Sequence, residues 1–269
     1  MNKQDSLNRF RSMPEKQCGE WRYRCFGTGI RTILLLPGGE LVNDLGFSFA
    51  LSLSQDYRIL YPAYPRAESL EELADGLVAI LDREGVVRAS LLGASFGGAV
   101  AQVFVRRHRD RVRDLILSNT GVPLQRLTGA LRVTYWIAKV LPWGMLSKLL
   151  RRTMLKAMRP PVVDLEFWNA YLDELFSGRL AKHDVLENLL IQFAYHSRLC
   201  FSSEDLKSWS GRVLIAESDS DIIGPSRRKL LRETYPSAGV HTFHDAGHAP
   251  MFTQADEYLK VIKTFLDGG

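Results

Sequence analysis

The sequence predicts an α/β fold, in which a largely parallel sheet is covered by helices on both faces. Short apolar runs alternate along the chain with longer amphipathic runs, the pattern of strands that alternate with helices. Several apolar runs are continuous, such as Ile33–Leu36, which is typical of strands buried on both faces of a parallel sheet. The alternation stops after Gly121 and resumes at Arg212, which indicates that a helical segment interrupts the α/β pattern.

Seven runs are predicted to be strands because they are short, apolar and bounded by turn residues or helix-like stretches. They are Trp21–Phe26, Thr32–Leu36, Tyr57–Tyr61, Ala89–Leu92, Asp114–Ser118, Val213–Ala216 and Val240–Phe243. Between or after them lie stretches with helical spacing: Phe47–Ser54, Leu70–Arg83, Gly97–Arg107, Ser226–Tyr235 and Asp256–Phe265. Crossovers between parallel strands are expected to be right-handed.

The interruption is predicted to be an insertion into one α/β domain rather than a second domain. From Val122 to Leu206 the spacing is helical with no convincing strand, and prolines divide it into several helices. We therefore expect a core made of residues 1–122 and 207–269, and a helical insertion of residues 123–206. Seven aromatic side chains of the insertion offer apolar surface for a substrate pocket, or alternatively most of them pack the insertion helices against one another: Trp136, Trp143, Phe167, Trp168, Tyr171, Phe176 and Phe193.

Composition excludes several classes of protein. The chain has 269 residues, of which 46% are hydrophobic and 24% charged, so disorder, collagen and coiled coil are excluded. Three cysteines do not indicate a disulfide framework. Met1–Lys16 has no apolar core of a secretory signal, and Lys139 and Pro142 interrupt the most apolar stretch, Val133–Leu146. We expect a soluble, cytoplasmic protein.

The positive charge of the chain is concentrated in one segment. The net charge is +5, yet Leu124–Arg159 contains eight basic residues and no acidic ones, which leaves −3 for the rest. Three interpretations remain open: a solvated helix face, a contact with a membrane surface or lipid headgroups, and docking of an acidic acyl carrier or a coenzyme A ester. One short basic stretch inside an insertion is not a nucleic-acid-binding fold.

The segment Gly93-Ala94-Ser95-Phe96-Gly97 has the spacing of a nucleophile on a sharp strand-to-helix turn. An apolar strand precedes it and an amphipathic helix follows. Small residues two positions before and after Ser95 let the strand and the helix pass without collision, while the helix N-terminus offers N–H groups to a developing oxyanion. The alternative is a glycine-rich helix start at which Ser95 is only the N-cap.

A serine nucleophile needs a base and an orienting carboxylate. Of the six histidines, His248 is the candidate base, because it lies in a glycine-containing loop between the last strand and the final helix. The acid is expected after the preceding strand, where the spacing to Pro225 favours Asp221. Asp219 is the second candidate, and Glu217 is assigned to the strand end.

Two backbone N–H groups are candidates for an oxyanion hole. Phe96 begins the helix after the serine, and Gly39 follows the early strand in Leu36-Pro37-Gly38-Gly39, where glycines let the backbone approach a substrate closely. The alternative is a plain glycine turn. Nothing in the sequence implies a cofactor or a metal, since His244 and His248 do not share one helix face.

These segments, in this order, resemble the α/β-hydrolase superfamily over nearly the whole chain. Members often carry His-Gly where this chain has Pro37-Gly38. The resemblance implies a mostly parallel eight-stranded sheet with a helical cap inserted after the sixth strand. Tyr57–Pro65 and Leu92–Ser95 are also similar to maspardin, whose relatives include binding proteins with an incomplete triad.

Because Ser95, Asp221 and His248 are all present, the sequence predicts a serine hydrolase. Its substrate would be a small-molecule carboxylic ester or thioester, cleaved through an acyl-enzyme on Ser95. Two alternatives remain open: a non-catalytic, maspardin-like adaptor, and a carbon–carbon bond hydrolase or lyase that uses the same triad.

Overall fold

The computed structural model describes residues 2–39 and 44–268, which form an eight-stranded sheet with the strand order β1-β2-β4-β3-β5-β6-β7-β8. From β4 to β8 all neighbours in the sheet are parallel, whereas β1 and β2 are antiparallel to their neighbours. The mostly parallel, eight-stranded α/β sheet is therefore confirmed. The strands are β1 (Glu15–Cys18), β2 (Trp21–Phe26), β3 (Thr32–Leu36), β4 (Arg58–Ala63), β5 (Ala89–Ala94), β6 (Val112–Ser118), β7 (Arg212–Ser218) and β8 (Gly239–Phe243).

Helices connect most of the strands, and four of the described α-helices lie in the helical insertion between β6 and β7. The helices are α1 (Lys3–Ser12), α2 (Phe47–Leu53), α3 (Leu70–Arg83), α4 (Phe96–Arg107), α5 (Thr128–Val140), α6 (Trp143–Met158), α7 (Leu165–Glu174), α8 (Lys182–Arg198), α9 (Gly224–Thr234), α10 (Pro250–Thr253) and α11 (Ala255–Asp267). Within residues 119–211 the structure has helices and turns and no strand.

The central strands are buried on both faces, as the continuous apolar runs predict. In β3, Ile33 and Leu35 pack into one core cluster with α1, α2 and α11. Leu34 and Leu36 point the other way and pack into a second cluster with α3 and α4. Side chains alternate between the faces of a strand, so an all-apolar strand must be covered on both sides.

Three elements differ from the sequence prediction. The prediction missed β1, because its side chains are mostly exposed and show no apolar pattern. It also missed α1, a polar helix that buries only Ser6, Leu7 and Phe10. Strand β4 continues past its predicted end through Pro62, which is tolerated because β3 pairs with β4 only as far as Leu60.

The helical insertion packs on the core through aromatic side chains. Trp168 is buried against Phe252 with ring centroids 4.7 Å apart, and Phe167 lies 5.9 Å from Phe47. Offset and edge-on ring contacts of this kind add to the stabilisation that burial alone provides. Within residues 2–39 and 44–268, no helix combines the length and apolar character needed to cross a bilayer.

A buried carboxylate joins the insertion to the core. Asp44 accepts a hydrogen bond of 2.5 Å from the Tyr171 hydroxyl and bonds of 3.0 Å from Arg179 and 2.8 Å from Arg11. Burial alone would raise the pKa of Asp44, but hydrogen bonds from Arg179, Tyr171 and Arg11 outweigh it and hold the pKa below its ordinary value. The contacts connect α1, the segment just before α2, α7 and the turn that follows α7.

We expect Asp44→Asn to lower the free energy of unfolding by about 2–3 kcal/mol near neutral pH, because two arginines lose their carboxylate in a partly buried site. The depressed pKa makes this stabilisation fully present above about pH 4 and progressively lost as the pH falls further. Denaturant unfolding of both proteins at neutral and acidic pH measures the difference. Asp173→Asn, which removes an exposed ion pair with Arg151, is the control and should cost less than about 1 kcal/mol. Equal losses in the two variants would contradict the assignment.

Candidate active site

Ser95 occupies a sharp turn between the end of β5 and the start of α4. Its backbone has φ 50° and ψ −114°, a conformation that costs of order 1–3 kcal/mol for a residue with a side chain. The Ser95 N–H donates to the Ser118 carbonyl at 2.9 Å, and the Thr120 hydroxyl donates to the Ser95 carbonyl at 2.8 Å. Neighbouring strand ends therefore hold the strained turn that the sequence predicts.

The glycines around Ser95 lie too close to backbone for any side chain. A Cβ on Gly93 would lie 2.3 Å from the Gly97 carbonyl oxygen, and a Cβ on Gly97 would lie 2.1 Å from the Leu36 carbonyl oxygen. Both distances are far below van der Waals contact. The spacing of small residues in the motif thus serves the close passage of α4 over β3 and β5.

Ser95, His248 and Asp221 are brought together in one hydrogen-bonded chain. His248 Nε2 lies 2.9 Å from Ser95 Oγ, and His248 Nδ1 lies 2.6 Å from Asp221 Oδ1. An ionised carboxylate only accepts, so Nδ1 donates to Asp221 and Nε2 is left to accept the serine proton. Asp221 is buried and also accepts from the Ile223 N–H at 3.1 Å.

The two competing carboxylates bind elsewhere. Asp219 is exposed and accepts from the Asp245 N–H and from His244, each at 2.8 Å, and these bonds hold the pKa of Asp219 below its ordinary value. Glu217 lies near the end of β7, as predicted, and is buried in ion pairs with Arg232 and Arg228 of α9. The geometry therefore favours Asp221 over both.

The loop that carries His248 is held by a residue that the sequence analysis missed. The Asn119 side chain donates to the carbonyls of Gly247 and His248 at 3.1 and 2.8 Å, and the His248 N–H donates to the Ala157 carbonyl at 3.3 Å. Asn119 has φ 41°, a region that asparagine tolerates. The sequence signal for this role was an asparagine directly after a buried strand.

The glycine loop after β3 lies against the serine turn. A Cβ on Gly38 would lie 3.3 Å from Ser95 Cβ, and Gly39, with φ 69°, lines the same cavity as Ser95 and His248. Phe96 is the first residue of α4, where N–H groups and the helix dipole favour negative charge. Both predicted oxyanion donors are thus placed beside Ser95. Residues 40–43 of this loop lie outside the described range.

Two cavities meet at Ser95 and His248. The first, of about 190 Å³, is almost entirely apolar; apart from the glycine loop its walls include Leu35, Leu45, Met154, Met158, Met251 and Phe252. The second, of about 250 Å³, is lined on the Phe96 side by both polar and apolar residues. None of the seven insertion aromatics lines either cavity, which favours the alternative that they pack the helices of the insertion. Several of them instead pack the insertion onto itself and the core, and α6 contributes methionines.

The basic segment of the insertion is partly engaged in structure. Arg151 pairs with Asp173 at 2.7 Å, and Arg159 pairs with Asp245 at 2.8 Å, beside the His248 loop. Large apolar side chains on α5 and α6 are exposed: Val133, Trp136, Ile137, Val140, Met145 and Leu149. Contact of these exposed side chains and their basic neighbours with a lipid surface or an acyl carrier stays a prediction.

Comparison with known proteins identifies the family of this chain. The model of the alpha/beta hydrolase family matches residues 23–261. The chain belongs to that family. A 2-hydroxymuconate semialdehyde hydrolase of Pseudomonas putida is 25% identical over 252 residues, covering 87% of this chain and 86% of that protein.

Other relatives differ in their described activities. A pimeloyl-[acyl-carrier protein] methyl ester esterase of Chromobacterium violaceum is 24% identical and covers 77% of this chain and 79% of its own length. Maspardin of Danio rerio is 30% identical over 158 residues, 55% of this chain and 49% of its own, which confirms the similarity seen in the sequence. A thermophilic esterase from Thermogutta terrifontis superposes with a TM-score of 0.73 at 21% identity, covering 92% and 93% of the two chains.

We expect Gly97→Ala to lower the free energy of unfolding by at least about 3 kcal/mol, because the added methyl would overlap the Leu36 carbonyl between two rigid elements. Gly144→Ala in α6 is the matched control: its Cβ meets nothing within 4 Å, and it should be neutral or stabilise by up to about 1 kcal/mol. Thermal and denaturant unfolding measure both. A small loss for Gly97→Ala would show that α4 can move away from β3.

Proposed function

We propose that this protein is a serine hydrolase that cleaves a carboxylic ester or thioester through an acyl-enzyme on Ser95. The observation that carries the proposal is the continuous chain from Ser95 Oγ through His248 to Asp221, with spacings of 2.9 and 2.6 Å. A strained nucleophile, a base and a buried orienting carboxylate are the parts that acyl transfer requires.

In the first step, Ser95 Oγ attacks the ester carbonyl while His248 Nε2 takes its proton. The N–H groups of Gly39 and Phe96 bind the oxyanion, and Asp221 stabilises the imidazolium that forms. His248 then returns the proton to the leaving alcohol or thiol as the acyl-enzyme is formed. In the second half, His248 takes a proton from water as the water oxygen attacks the acyl carbonyl, and then returns that proton to Ser95 Oγ as the acid is released.

The helical insertion, which we place at residues 123–206, acts in this proposal as a cap. Met154, Ala157 and Met158 at the end of α6 line the apolar cavity, and the Ala157 carbonyl contacts the His248 N–H. A cavity with almost entirely apolar walls suits an alkyl or aryl group of the substrate. The insertion would therefore choose the substrate while the core performs the chemistry.

A carbon–carbon bond hydrolase is the second candidate. The Pseudomonas putida relative is a 2-hydroxymuconate semialdehyde hydrolase, and this relative covers most of the chain. The same Ser95, His248 and Asp221 arrangement is compatible with cleavage of an activated ketone. The adaptor alternative is weakened because the hydrogen-bonded chain is complete.

We expect the wild-type protein to release p-nitrophenol from short-chain p-nitrophenyl esters and to react with a fluorophosphonate probe. Ser95→Ala should lose both the activity above background and the labelling, because no other hydroxyl is hydrogen-bonded to His248 in the described residues. Steady-state kinetics and intact-mass analysis provide the readouts. A wild type inert to the probe and to a wide ester and thioester panel would favour the adaptor.

The same panel, extended to a β-diketone, separates ester from carbon–carbon cleavage. Product analysis identifies which bond has broken. Turnover of the diketone far above that of every ester would replace the ester proposal with the second candidate.

Asp221→Asn should lower kcat/KM by about 10³- to 10⁴-fold, because the amide cannot stabilise the imidazolium. Asp219→Asn is the matched control, two residues away on the same loop, and should stay within about tenfold of the wild type. Its carboxylate binds His244 and the Asp245 N–H rather than His248. Similar losses in both variants would remove Asp221 from its assigned role.

A further inference from the structure

The second cavity beside Ser95 differs in character from the apolar one. It lies on the side of Phe96 and is shared by Ser95, His248 and the side chain of Arg227 from α9. Its volume of about 250 Å³ leaves room for a small polar group next to the reacting bond. No Asp or Glu side chain is among the described residues that line it.

Arg227 is a half-buried cation whose guanidinium forms no ion pair in the described part of the chain. Its Nε is inaccessible to solvent and has no hydrogen-bond partner, and Nη2 lies against Gly121, 3.0 Å from where a Cβ would stand. Its helix neighbours Arg228 and Arg232 both form ion pairs with Glu217, although Arg228 Nε, 3.7 Å from the carboxylate, also has no hydrogen bond. Burying part of a guanidinium without an ion pair costs free energy, and an anion bound beside Ser95 would offset that cost.

The charged groups around Arg227 are of both signs. Burial lowers the pKa of Arg227, and the charge of Arg126 lowers it further, whereas Tyr195 and Asp221 raise it. His196 is neutral near pH 7, since burial and the charge of Arg227 lower its pKa to about 4. Asp221 is the carboxylate that acts on Arg227; its Oδ1 is bound by His248 and the Ile223 N–H, and its buried Oδ2 has no hydrogen-bond partner among the described residues, Arg227 included.

We propose that Arg227 binds a carboxylate of the substrate, so that the preferred substrate carries a carboxylate on one side of the scissile bond and an apolar group on the other. The proposal rests on the function assigned to Ser95. A guanidinium presents two parallel N–H groups that match a carboxylate, which gives orientation as well as affinity. The neighbouring apolar cavity takes the other part of the substrate.

A second role for Arg227 has a different signature. Its charge interacts with Asp221, so removing it could disturb the His248–Asp221 pair. That disturbance would slow every substrate equally. Loss of a carboxylate contact slows only the substrate that carries the carboxylate, so the ratio between matched substrates separates the two roles.

The test uses two pairs of esters that differ only in charge. In the first pair the acyl group carries the carboxylate: mono-p-nitrophenyl adipate against methyl p-nitrophenyl adipate. In the second pair the leaving group carries it: 4-acetoxybenzoate against methyl 4-acetoxybenzoate. Ratios of kcat/KM are measured for the wild type, Arg227→Gln, Arg227→Lys and Lys229→Gln, the last being an exposed charge on the same helix paired with Glu233.

In at least one pair, we expect the wild type to prefer the carboxylate ester and Arg227→Gln to lose about 10- to 100-fold of that preference, measured as the ratio of the two kcat/KM values, in which any change common to both members cancels. Arg227→Lys should keep part of the preference, and Lys229→Gln all of it. Activity of Arg227→Gln on the neutral ester also shows that the variant folds. Ratios equal in the wild type and Arg227→Gln for both pairs, or equal losses on both members of a pair, would overturn the proposal.

A binding measurement separates failure of this inference from failure of the proposed function. Benzoate should raise the melting temperature of the wild type more than its neutral analogue benzamide does, and Arg227→Gln should abolish the difference. A protein inert to every ester that still shows this difference keeps the subsite and loses the ester hydrolase assignment. Benzoate and benzamide acting alike on the wild type would count against the subsite.

Discussion

At the start of α4, the backbone of Gly97 lies against the carbonyl oxygen of Leu36 at the end of β3, too close for a side chain at that position. This contact sets how deeply α4 sits over the sheet, and with it the placement of Ser95 and Phe96. The strained φ of Ser95 persists because hydrogen bonds to Ser118 and Thr120 over-determine the turn. The Ser95 hydroxyl and the N-terminus of α4 therefore depend on the same backbone turn, so a change that moves one also moves the other.

His248 and the helical insertion are positioned by hydrogen bonds between segments far apart in the chain, rather than by the close backbone contacts that position Ser95. Asn119 binds the two carbonyls of the His248 loop, and the end of α6 meets the same loop through Ala157. On the far side, Asp44 binds Tyr171 and Arg179 from the insertion. The insertion is therefore tied both to the loop that carries His248 and to the segment just before α2 that carries Asp44. Its position and the geometry of the site are coupled through hydrogen bonds rather than through apolar packing alone.

The sequence predicted what local pattern determines and missed what distant contacts determine. Buried strands such as β3 were found because a strand covered on both faces must be apolar throughout, and β1 escaped because an exposed edge strand has no such requirement. The Ser95 turn was found because its glycines are fixed by local sterics. Asp44 and Arg227 were not, because a lone polar residue does not reveal that it will be buried opposite another segment. For the insertion aromatics the sequence left pocket lining and helix packing both open for a related reason: apolarity predicts burial but not which surface is covered.

The two cavities at Ser95 differ in polarity, and burial costs decide how a substrate lies across them. A carboxylate in the apolar cavity would lose its hydration without gaining a partner, at a cost of several kcal/mol. An alkyl group in the cavity beside Arg227 would give the guanidinium no hydrogen-bond acceptor, so its Nε would stay without a partner. Both terms disfavour the reversed orientation, so they add rather than compensate. Gly39 lines the apolar cavity and Phe96 lines the other. A substrate with one charged and one apolar end would therefore reach the proposed oxyanion donors in a single orientation. In the proposed mechanism, a single orientation is a condition for attack by Ser95 on one face of the carbonyl.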